Sequence, residues 1–259
     1  MTEWNASGYE QISALQQAMS AEALDLLELL GNERILDVGC GNGRATSEIA
    51  ARSSAGTVVG IDASEEMIAY AIGHYRRDNL RFQVADARHL PFHAEFDLVV
   101  SFNALHWIPE QDQALRGIGT ALKASGAAHL RLVPKGPRKS LEDTLEETRR
   151  EHRWARYFAG FRDPYLHLTP NQYAETAEQS GFQVKNLATH DESWDFKSRS
   201  GFEAFGSVTF VEWTKHLPEY EKPAFIADVL DRYRILAMNA PGEENIFRFY
   251  QMDITLAAP

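Results

Sequence analysis

The segment over residues 34–43, Arg-Ile-Leu-Asp-Val-Gly-Cys-Gly-Asn-Gly, constrains the fold of this chain more than any other. A short apolar run enters three alternating glycines, and an amphipathic stretch over 44–52 leaves them. Glycines at such a turn adopt backbone dihedrals closed to other residues and let a ligand lie against the main chain. A strand, a tight turn and a helix in succession are typical of the first unit of a doubly wound sheet. The segment therefore predicts an α/β fold with a ligand at this turn.

The spacing of the glycines narrows the kind of ligand. A dinucleotide loop reads G-x-G-x-x-G, but Arg44 occupies the position of its third glycine. The loop does not continue into G-K-[ST], which excludes a nucleoside-triphosphate loop. Instead, Asp37 precedes the first glycine by two residues, and its carboxylate would repel a pyrophosphate but attract an ammonium or sulfonium group. An ordinary glycine turn between strand and helix is the alternative.

The segment from Ile35 to Gly43 resembles the first motif of the class I S-adenosylmethionine-dependent methyltransferases. The resemblance implies a doubly wound α/β fold with a seven-stranded, mostly parallel sheet whose last strand is antiparallel. It also implies S-adenosylmethionine as the cofactor, lying across the glycine loop. The loop residues that we expect to contact this cofactor are Asp37, Gly39, Cys40, Gly41 and Asn42.

The chain of 259 residues is long enough for one α/β domain with an inserted cap. We expect a single domain over 1–259, with an N-terminal lid over 1–20 and a cofactor-binding half over 21–133. The remaining residues, 134–259, form the predicted substrate half, which includes a helical cap at about 192–240.

The N-terminal stretch carries two predictions. Trp4 and Tyr9 match a lid segment of the small-molecule methyltransferases that this chain resembles, where aromatic rings cover the sulfonium by cation–π contact. Alternatively, both rings simply pack on the core. Residues 21–30 follow the spacing of an amphipathic helix, and the predicted inward residues are Leu24, Leu27 and Leu30.

The second and third predicted strands each end in a carboxylate. Asp62 ends the strand over 57–61, where it can accept hydrogen bonds from ribose hydroxyls, with Ala63 beside it. Met67 could pack on the adenine, although a methionine at helical spacing is more often core. The resemblance implies that Asp86 and Ala87, after the third strand, contact the adenine. Helix capping is the alternative for both aspartates.

The fourth predicted strand leads into Asn103-Ala104-Leu105-His106-Trp107, which resembles a segment of trans-aconitate methyltransferase-like enzymes. Ligands in open α/β sheets lie beyond the carboxyl ends of the strands. We therefore expect Asn103, Ala104 and Leu105 to contact the cofactor, and His106 and Trp107 to face the acceptor. His106 is the predicted catalytic residue, accepting a proton or orienting an acid, and a structural histidine is the alternative.

Three residues after the fourth predicted strand are further candidates for the substrate pocket. Arg131 interrupts the apolar run of the fifth strand, so it bonds either an internal carboxylate or an anionic substrate. Trp213 belongs to the aromatic-rich cap and is expected to line the pocket. Tyr250, on the last strand, could point into the cleft.

Composition excludes several classes of partner. The net charge of −11 opposes binding to nucleic acid, whose affinity depends on lysine and arginine. No apolar run approaches the length of a membrane span and no signal peptide is evident, so we expect a cytoplasmic protein that does not bind membranes. Cys40, the single cysteine, is too isolated for a metal site, and no metal is predicted. The oligomeric state stays open.

The predicted function is transfer of a methyl group from S-adenosylmethionine to a small molecule. The resemblance favours a carboxylate or hydroxyl oxygen as the acceptor, attacking the methyl group in line. The segment after the fourth strand lacks the Asn-Pro-Pro-Tyr-like clamp of base methylases and the Pro-Cys pair of cytosine chemistry. Carbon or nitrogen methylation, lipid cyclopropanation and a non-catalytic cofactor-binding module are the alternatives.

Overall fold

The computed structural model describes residues 14–163 and 165–258. Trp4 and Tyr9, the two aromatic residues of the predicted lid, lie outside the described residues. Within the described ranges, no helix is both long enough and apolar enough to cross a membrane.

One mixed sheet organises the chain, and its seven strands lie in the order β3-β2-β1-β4-β5-β7-β6. The strands are β1 (Arg34–Val38), β2 (Thr57–Asp62), β3 (Leu80–Val84), β4 (Phe96–Phe102), β5 (Leu122–Leu132), β6 (Gln183–Asp195) and β7 (Ile246–Ala257). The first five run parallel, and β7 runs antiparallel to both of its neighbours. The predicted seven-stranded α/β fold with an antiparallel last strand is confirmed.

Helices cover both faces of the sheet. They are α1 (Ala14–Asp25), α2 (Arg44–Arg52), α3 (Glu65–His74), α4 (Gln111–Ala121), α5 (Leu141–Arg150), α6 (Pro170–Gln179), α7 (Arg199–Thr209), α8 (Val211–Thr214) and α9 (Lys222–Ala237). Ile35 and Leu36 point to opposite faces of β1, yet both are fully buried, in two different hydrophobic clusters. Burial on both faces explains why these strands read as continuous apolar runs.

A separate hydrophobic cluster joins α5, α7, α8 and α9 to the start of β7, where Phe247 and Phe249 lie. These helices form a cap with its own core, which includes the fully buried rings of Trp154 and Phe225. Helix α5 precedes the cap predicted at about 192–240, so the helical cover draws on two insertions, one after β5 and one between β6 and β7.

Two boundaries differ from the sequence prediction. The sequence predicts a sixth strand over 182–188, but β6 extends to Asp195 because its polar second half pairs with β7 as far as Ile246. An edge strand has one sheet neighbour and can be polar, so it carries no apolar signal. Helix α1 ends at Asp25, before the end of the helix predicted over 21–30. The side chain of Leu30 is 90% exposed rather than directed inward.

Candidate active site

A cavity of about 520 Å³ opens beyond the carboxyl ends of the parallel strands, beneath the cap. Its volume lies within the range of small-molecule sites. The predicted site residues that line it are Gly39, Gly41, Asp62, Ala63, Met67, Asp86, Ala87, Asn103, Ala104, Leu105, His106 and Trp107. The remaining walls come from α1, from other residues at the strand ends, from the cap and from the start of β7.

The glycine loop is built so that main chain, rather than side chain, faces this cavity. The amides of Gly39 and Cys40 both donate to the Ile61 carbonyl, at 2.8 and 2.9 Å, which fixes the loop to the end of β2. Gly39 has φ +77°, and a Cβ there would lie 2.2 Å from the Cβ of Ala104. Gly41 has φ +53°, and a Cβ there would meet no atom within 4 Å. The loop therefore leaves open space against its backbone.

Asp62 connects the glycine loop to the second strand. Its Oδ2 accepts a hydrogen bond from the Gly41 amide and its Oδ1 accepts one from the Ser64 amide, both at 2.9 Å. A carboxylate offers about four lone-pair sites. The oxygens of Asp62 can therefore accept further hydrogen bonds while they hold the loop, as the predicted ribose contact requires.

Asp37 lies beneath the loop rather than in the cavity wall. Its side chain is 2% exposed, and its Oδ2 accepts a 2.6 Å hydrogen bond from the Thr46 hydroxyl. Burial raises the pKa of Asp37 to about 7, with the nearby charge of Asp62 adding to the shift. The sequence suggested a carboxylate facing the ligand, but the structure buries this one behind the backbone.

Cys40 and Asn42 also lie off the cavity wall. Burial, together with the carboxylates of Asp37 and Asp62, raises the pKa of the Cys40 thiol. The thiol therefore stays protonated and is a poor nucleophile. Asn42 uses its side-chain oxygen to accept a hydrogen bond from the Arg44 amide at 3.2 Å.

Asp86 lines the cavity as half of an ion pair. Its Oδ2 lies 2.7 Å from Nη2 of Arg88, and its Oδ1 accepts the Arg88 amide at 2.9 Å. The Arg88 guanidinium, which also bonds Glu110 at 3.0 Å, holds the pKa of Asp86 below its usual value. Sequence reasoning missed Arg88, although it lies only two residues after Asp86 and this short spacing could have indicated the pair.

His106 is buried, 4% exposed, in a short 3₁₀ turn after β4. Its Nδ1 accepts a hydrogen bond from the Val133 amide at 3.5 Å, which assigns the ring proton to Nε2. Burial, with a smaller effect of His167, holds the pKa of His106 well below its usual range. The imidazole is therefore neutral at physiological pH.

Aromatic rings surround this histidine. Trp107 and Tyr165 lie with ring centroids 4.0 Å apart, and Tyr165 lies 5.8 Å from His106. Tyr165 lines the cavity, although it comes from an irregular segment between α5 and α6. No sequence signal marked Tyr165, because its role depends on where the segment before α6 crosses the strand ends.

Three predicted substrate residues lie elsewhere, which corrects the expectation that they line the main cavity. Arg131 is bound to Asp253, with Nε–Oδ1 and Nη2–Oδ2 distances of 2.7 and 3.0 Å, so the internal partner is the one observed. Trp213 is fully buried in the cap and donates its Nε1–H to Glu146. Tyr250 lines a smaller neighbouring cavity of about 240 Å³.

Gln251, on β7, supports the loop after β4. Its Nε2 donates to the Asn103 Oδ1 at 3.0 Å and to the Leu132 carbonyl at 2.9 Å. Asn103 has φ +56°, an uncommon conformation that this bond helps to hold. The sequence gives no indication of Gln251, since β7 reaches β5 only after the chain has built the whole cap.

Comparison with known proteins identifies relatives of this chain. A family described as methyltransferase domain matches residues 35–126. Trans-aconitate 2-methyltransferase of Deinococcus radiodurans is 32% identical over 268 residues, covering 99% of this chain and 98% of the relative. Juvenile hormone acid O-methyltransferase of Bombyx mori is 32% identical over 174 residues, covering 62% of each chain.

A solved structure shares the fold. Phosphoethanolamine N-methyltransferase 2 of Haemonchus contortus, in complex with phosphomonomethylethanolamine and S-adenosylhomocysteine, superposes with a TM-score of 0.64. The match covers 98% of this chain and 57% of that chain, at 18% sequence identity. At this identity the similarity establishes the fold alone.

Replacing Asp62 by alanine is expected to weaken the binding of S-adenosylmethionine by ~100-fold or more. The loop loses its anchor and the ligand loses an acceptor, and a hydrogen bond to a charged group contributes about 1.5–3 kcal/mol. Isothermal titration calorimetry measures the affinity. Asp78→Ala, on an exposed turn before β3, is the matched control and should bind normally. Unchanged affinity in Asp62→Ala would refute the ribose assignment.

The carboxyl group of Asp37 makes stability depend on pH. Its pKa is about 7 in the folded protein and 3.8 for an unperturbed aspartate, so the folded state binds more protons between these pH values. The free energy of unfolding should therefore fall as pH rises from about 4 through about 7, by about 2–4 kcal/mol at most. The side chain of Asp37→Asn does not titrate, and its amide oxygen still accepts the hydrogen bond from Thr46. This decrease in the free energy of unfolding should therefore be absent in the variant. Urea unfolding at several pH values tests it, and parallel curves for the two proteins would contradict it.

Exchanging Gln251 for methionine keeps the volume but removes both donated hydrogen bonds. The Asn103 and Leu132 oxygens then lose their donor, so the free energy of unfolding should fall by about 1–3 kcal/mol. Because Asn103 lines the cavity, affinity for S-adenosylhomocysteine should fall as well. Urea unfolding with and without this ligand measures both. Gln183→Met, exposed on β6, is the control, and equal behaviour of the two variants would contradict the role of Gln251.

Proposed function

Because this chain belongs to the class I S-adenosylmethionine-dependent methyltransferases that act on small molecules, we propose that it methylates a carboxylate oxygen of a small acid. The observation that carries the proposal is the neutral, buried His106 in the wall of the cavity. A relative named for trans-aconitate and another named for an acid O-methyltransferase support an acid as the acceptor.

The described residues fit the cofactor S-adenosylmethionine. Open main chain at Gly41, spare acceptor capacity on Asp62 and the apolar side chain of Met67 lie around one cavity. These residues would hold the adenosyl group, with Asp86 and Ala87 at the adenine. When bound, the cofactor supplies an electrophilic methyl group on a sulfonium, which attracts the nearby carboxylates.

His106 would orient the acceptor rather than deprotonate it. With Nδ1 engaged by the Val133 amide, the ring offers an Nε2–H donor and no free base. A carboxylic acid is already ionised at neutral pH, so its oxygen needs no base. A hydroxyl or an ammonium group would have to lose a proton, and a neutral histidine of strongly lowered pKa accepts one poorly.

The cover over the site would exclude water. The rings of Trp107 and Tyr165 lie beside His106, and the buried rings of Phe205 and Phe249 line the same cavity from α7 and β7. Removing water strengthens the electrostatic attraction between a carboxylate and a cation. Catalysis would thus come from positioning and desolvation, with His106 setting the direction of the oxygen.

Methylation of an amine nitrogen is the second candidate, favoured by three carboxylates on the cap side of the wall, Glu142, Asp163 and Glu212. Acceptors that share one skeleton separate the two: octanoate, octanol and octylamine with methyl-labelled cofactor. The proposal expects methyl octanoate as the main product. Methylation of octylamine but not octanoate would refute it, and cofactor binding without any transfer would favour a non-catalytic binding protein.

Replacing His106 by phenylalanine removes the Nε2–H donor of the ring. This change should lower kcat/KM for a carboxylate acceptor by ~100-fold, a loss similar to that caused by removing one oxyanion-hole donor from an enzyme. His106→Gln, which keeps an N–H donor, should restore part of the activity. In the wild type, His106 stays neutral from about pH 6 to about pH 8 because burial lowers its pKa, so it adds no step to the pH–rate profile. A step in this range that disappears in His106→Gln would show that the histidine acts as a base.

A further inference from the structure

The cap side of the main cavity is predominantly apolar. Its side chains from α5, α7, the turn after α7 and β7 are all buried, namely Leu141, Leu145, Phe205, Phe210, Phe247 and Phe249. All six belong to the hydrophobic cluster of the cap, so packing against their neighbours holds them in place. This wall offers an acceptor a rigid apolar surface.

The charges on the same side are mainly negative. Glu142 is half-buried, Glu212 is buried and Asp163 is exposed, and all three line the cavity. Glu212 pairs with Lys215, which does not line the cavity. Arg162, an exposed residue, is the only cation that the described residues of the cap side contribute to the wall.

The arginine side chains on the sheet side already form ion pairs with carboxylates of the protein. Arg88 bonds both Asp86 and Glu110, and Arg131 bonds Asp253 and Glu22. Binding several carboxylates in a desolvated site requires several charge-assisted partners, typically arginines. Among the described residues, this cavity has no set of cations for such a ligand.

We infer that the methyl acceptor has an apolar body with a single carboxylate, and that polycarboxylates are poor acceptors. The inference rests on the proposed function, because it takes a carboxylate oxygen as the methylated atom. That one carboxylate meets the Nε2–H of His106 and the positive charge of the bound cofactor. The rest of the acceptor meets mainly leucine and phenylalanine side chains and carboxylates, and the exposed Arg162 is the one described cation of the cap side, so additional carboxylates lack a set of buried partners.

The inferred acceptor differs in its number of carboxylates from the acceptor in the name of one relative. Trans-aconitate carries three carboxylates, whereas the described cavity wall matches an acid with one. Specificity of this kind comes from repulsion as much as from attraction, because the wall disfavours a polyanion at two or three points. Identity of 32% leaves room for such a difference.

A matched acceptor panel tests the inference. Octanoate and 3-phenylpropionate are compared with trans-aconitate and propane-1,2,3-tricarboxylate in assays with methyl-labelled cofactor. We expect kcat/KM for the two monocarboxylates to exceed that for the tricarboxylates by ~100-fold or more, since like-charge contacts are strongly unfavourable. Equal or better methylation of a tricarboxylate overturns this inference and leaves the proposed O-methylation intact. Methylation of octylamine, with no methylation of any of these acids, overturns both this inference and the proposed O-methylation.

A binding measurement provides a readout independent of turnover. Isothermal titration calorimetry of the protein loaded with S-adenosylhomocysteine should detect octanoate and not trans-aconitate. Tighter binding of trans-aconitate overturns the inference, whether or not any acid is methylated. Absence of binding by both monocarboxylates also overturns it.

Charge insertion gives a sharper test. Thr209 lines the cavity near the end of α7, and Ser207 on the same helix is exposed to solvent. Thr209→Arg should raise the ratio of kcat/KM for trans-aconitate over octanoate by ~10-fold or more, because it supplies the missing cation. Ser207→Arg adds the same charge to the protein and should leave the ratio unchanged. Equal shifts in both variants, or none in Thr209→Arg, count against the inference.

A pair of phenylalanines tests the apolar wall. Phe205 lines the cavity, whereas Phe202, one turn earlier on α7, is buried without lining it. Phe205→Ala should weaken octanoate binding by ~10-fold, as expected for the loss of a large apolar contact. Phe202→Ala serves as the control for lost packing and should retain octanoate affinity. Equal weakening in both variants would show that the effect is structural and overturn the assignment of the wall.

Discussion

The hydrogen bond from the Gly41 amide to the Asp62 carboxylate is the interaction on which the site depends. It joins the loop after β1 to the end of β2, beside the two amides that bond the Ile61 carbonyl. These contacts need β1 and β2 in parallel register, with Val38 opposite Ile61. A shift of one residue would turn the carboxylate to the other face of the sheet and leave the loop without its anchor.

The cavity lies between two hydrophobic cores that position different parts of its wall. The sheet and its flanking helices position backbone amides and carboxylates at the strand ends, where the proposed cofactor site lies. The cap has its own core and presents leucine and phenylalanine side chains to the same space. Changes in the cap can therefore alter the acceptor without disturbing the cofactor loops.

Burial determines the protonation states of Asp37 and His106. Asp37, behind the glycine loop, has its pKa raised, while His106, at the strand ends, has its pKa lowered. Both shifts favour the neutral form, because a low dielectric penalises charge of either sign. The charges that remain in the cavity wall belong to Asp62, the Asp86–Arg88 pair, and the carboxylates of the cap side with Arg162 beside them. This distribution suits one cationic cofactor and an acceptor of low charge.

The sequence by itself determined the parallel sheet, the glycine loop and Asp62, because hydrophobic period, turn chemistry and short spacing along the chain carry that information. It also left open two partners for Arg131, and the tertiary structure decided in favour of Asp253. Only the tertiary structure brought Gln251 to Asn103, Glu110 to Arg88 and Tyr165 to His106. Trp213 was expected in the pocket and lies in the core of the cap, because aromatic composition predicts burial but not which side a ring faces. Contacts between residues far apart in the chain depend on strand order and helix packing, which local patterns do not encode.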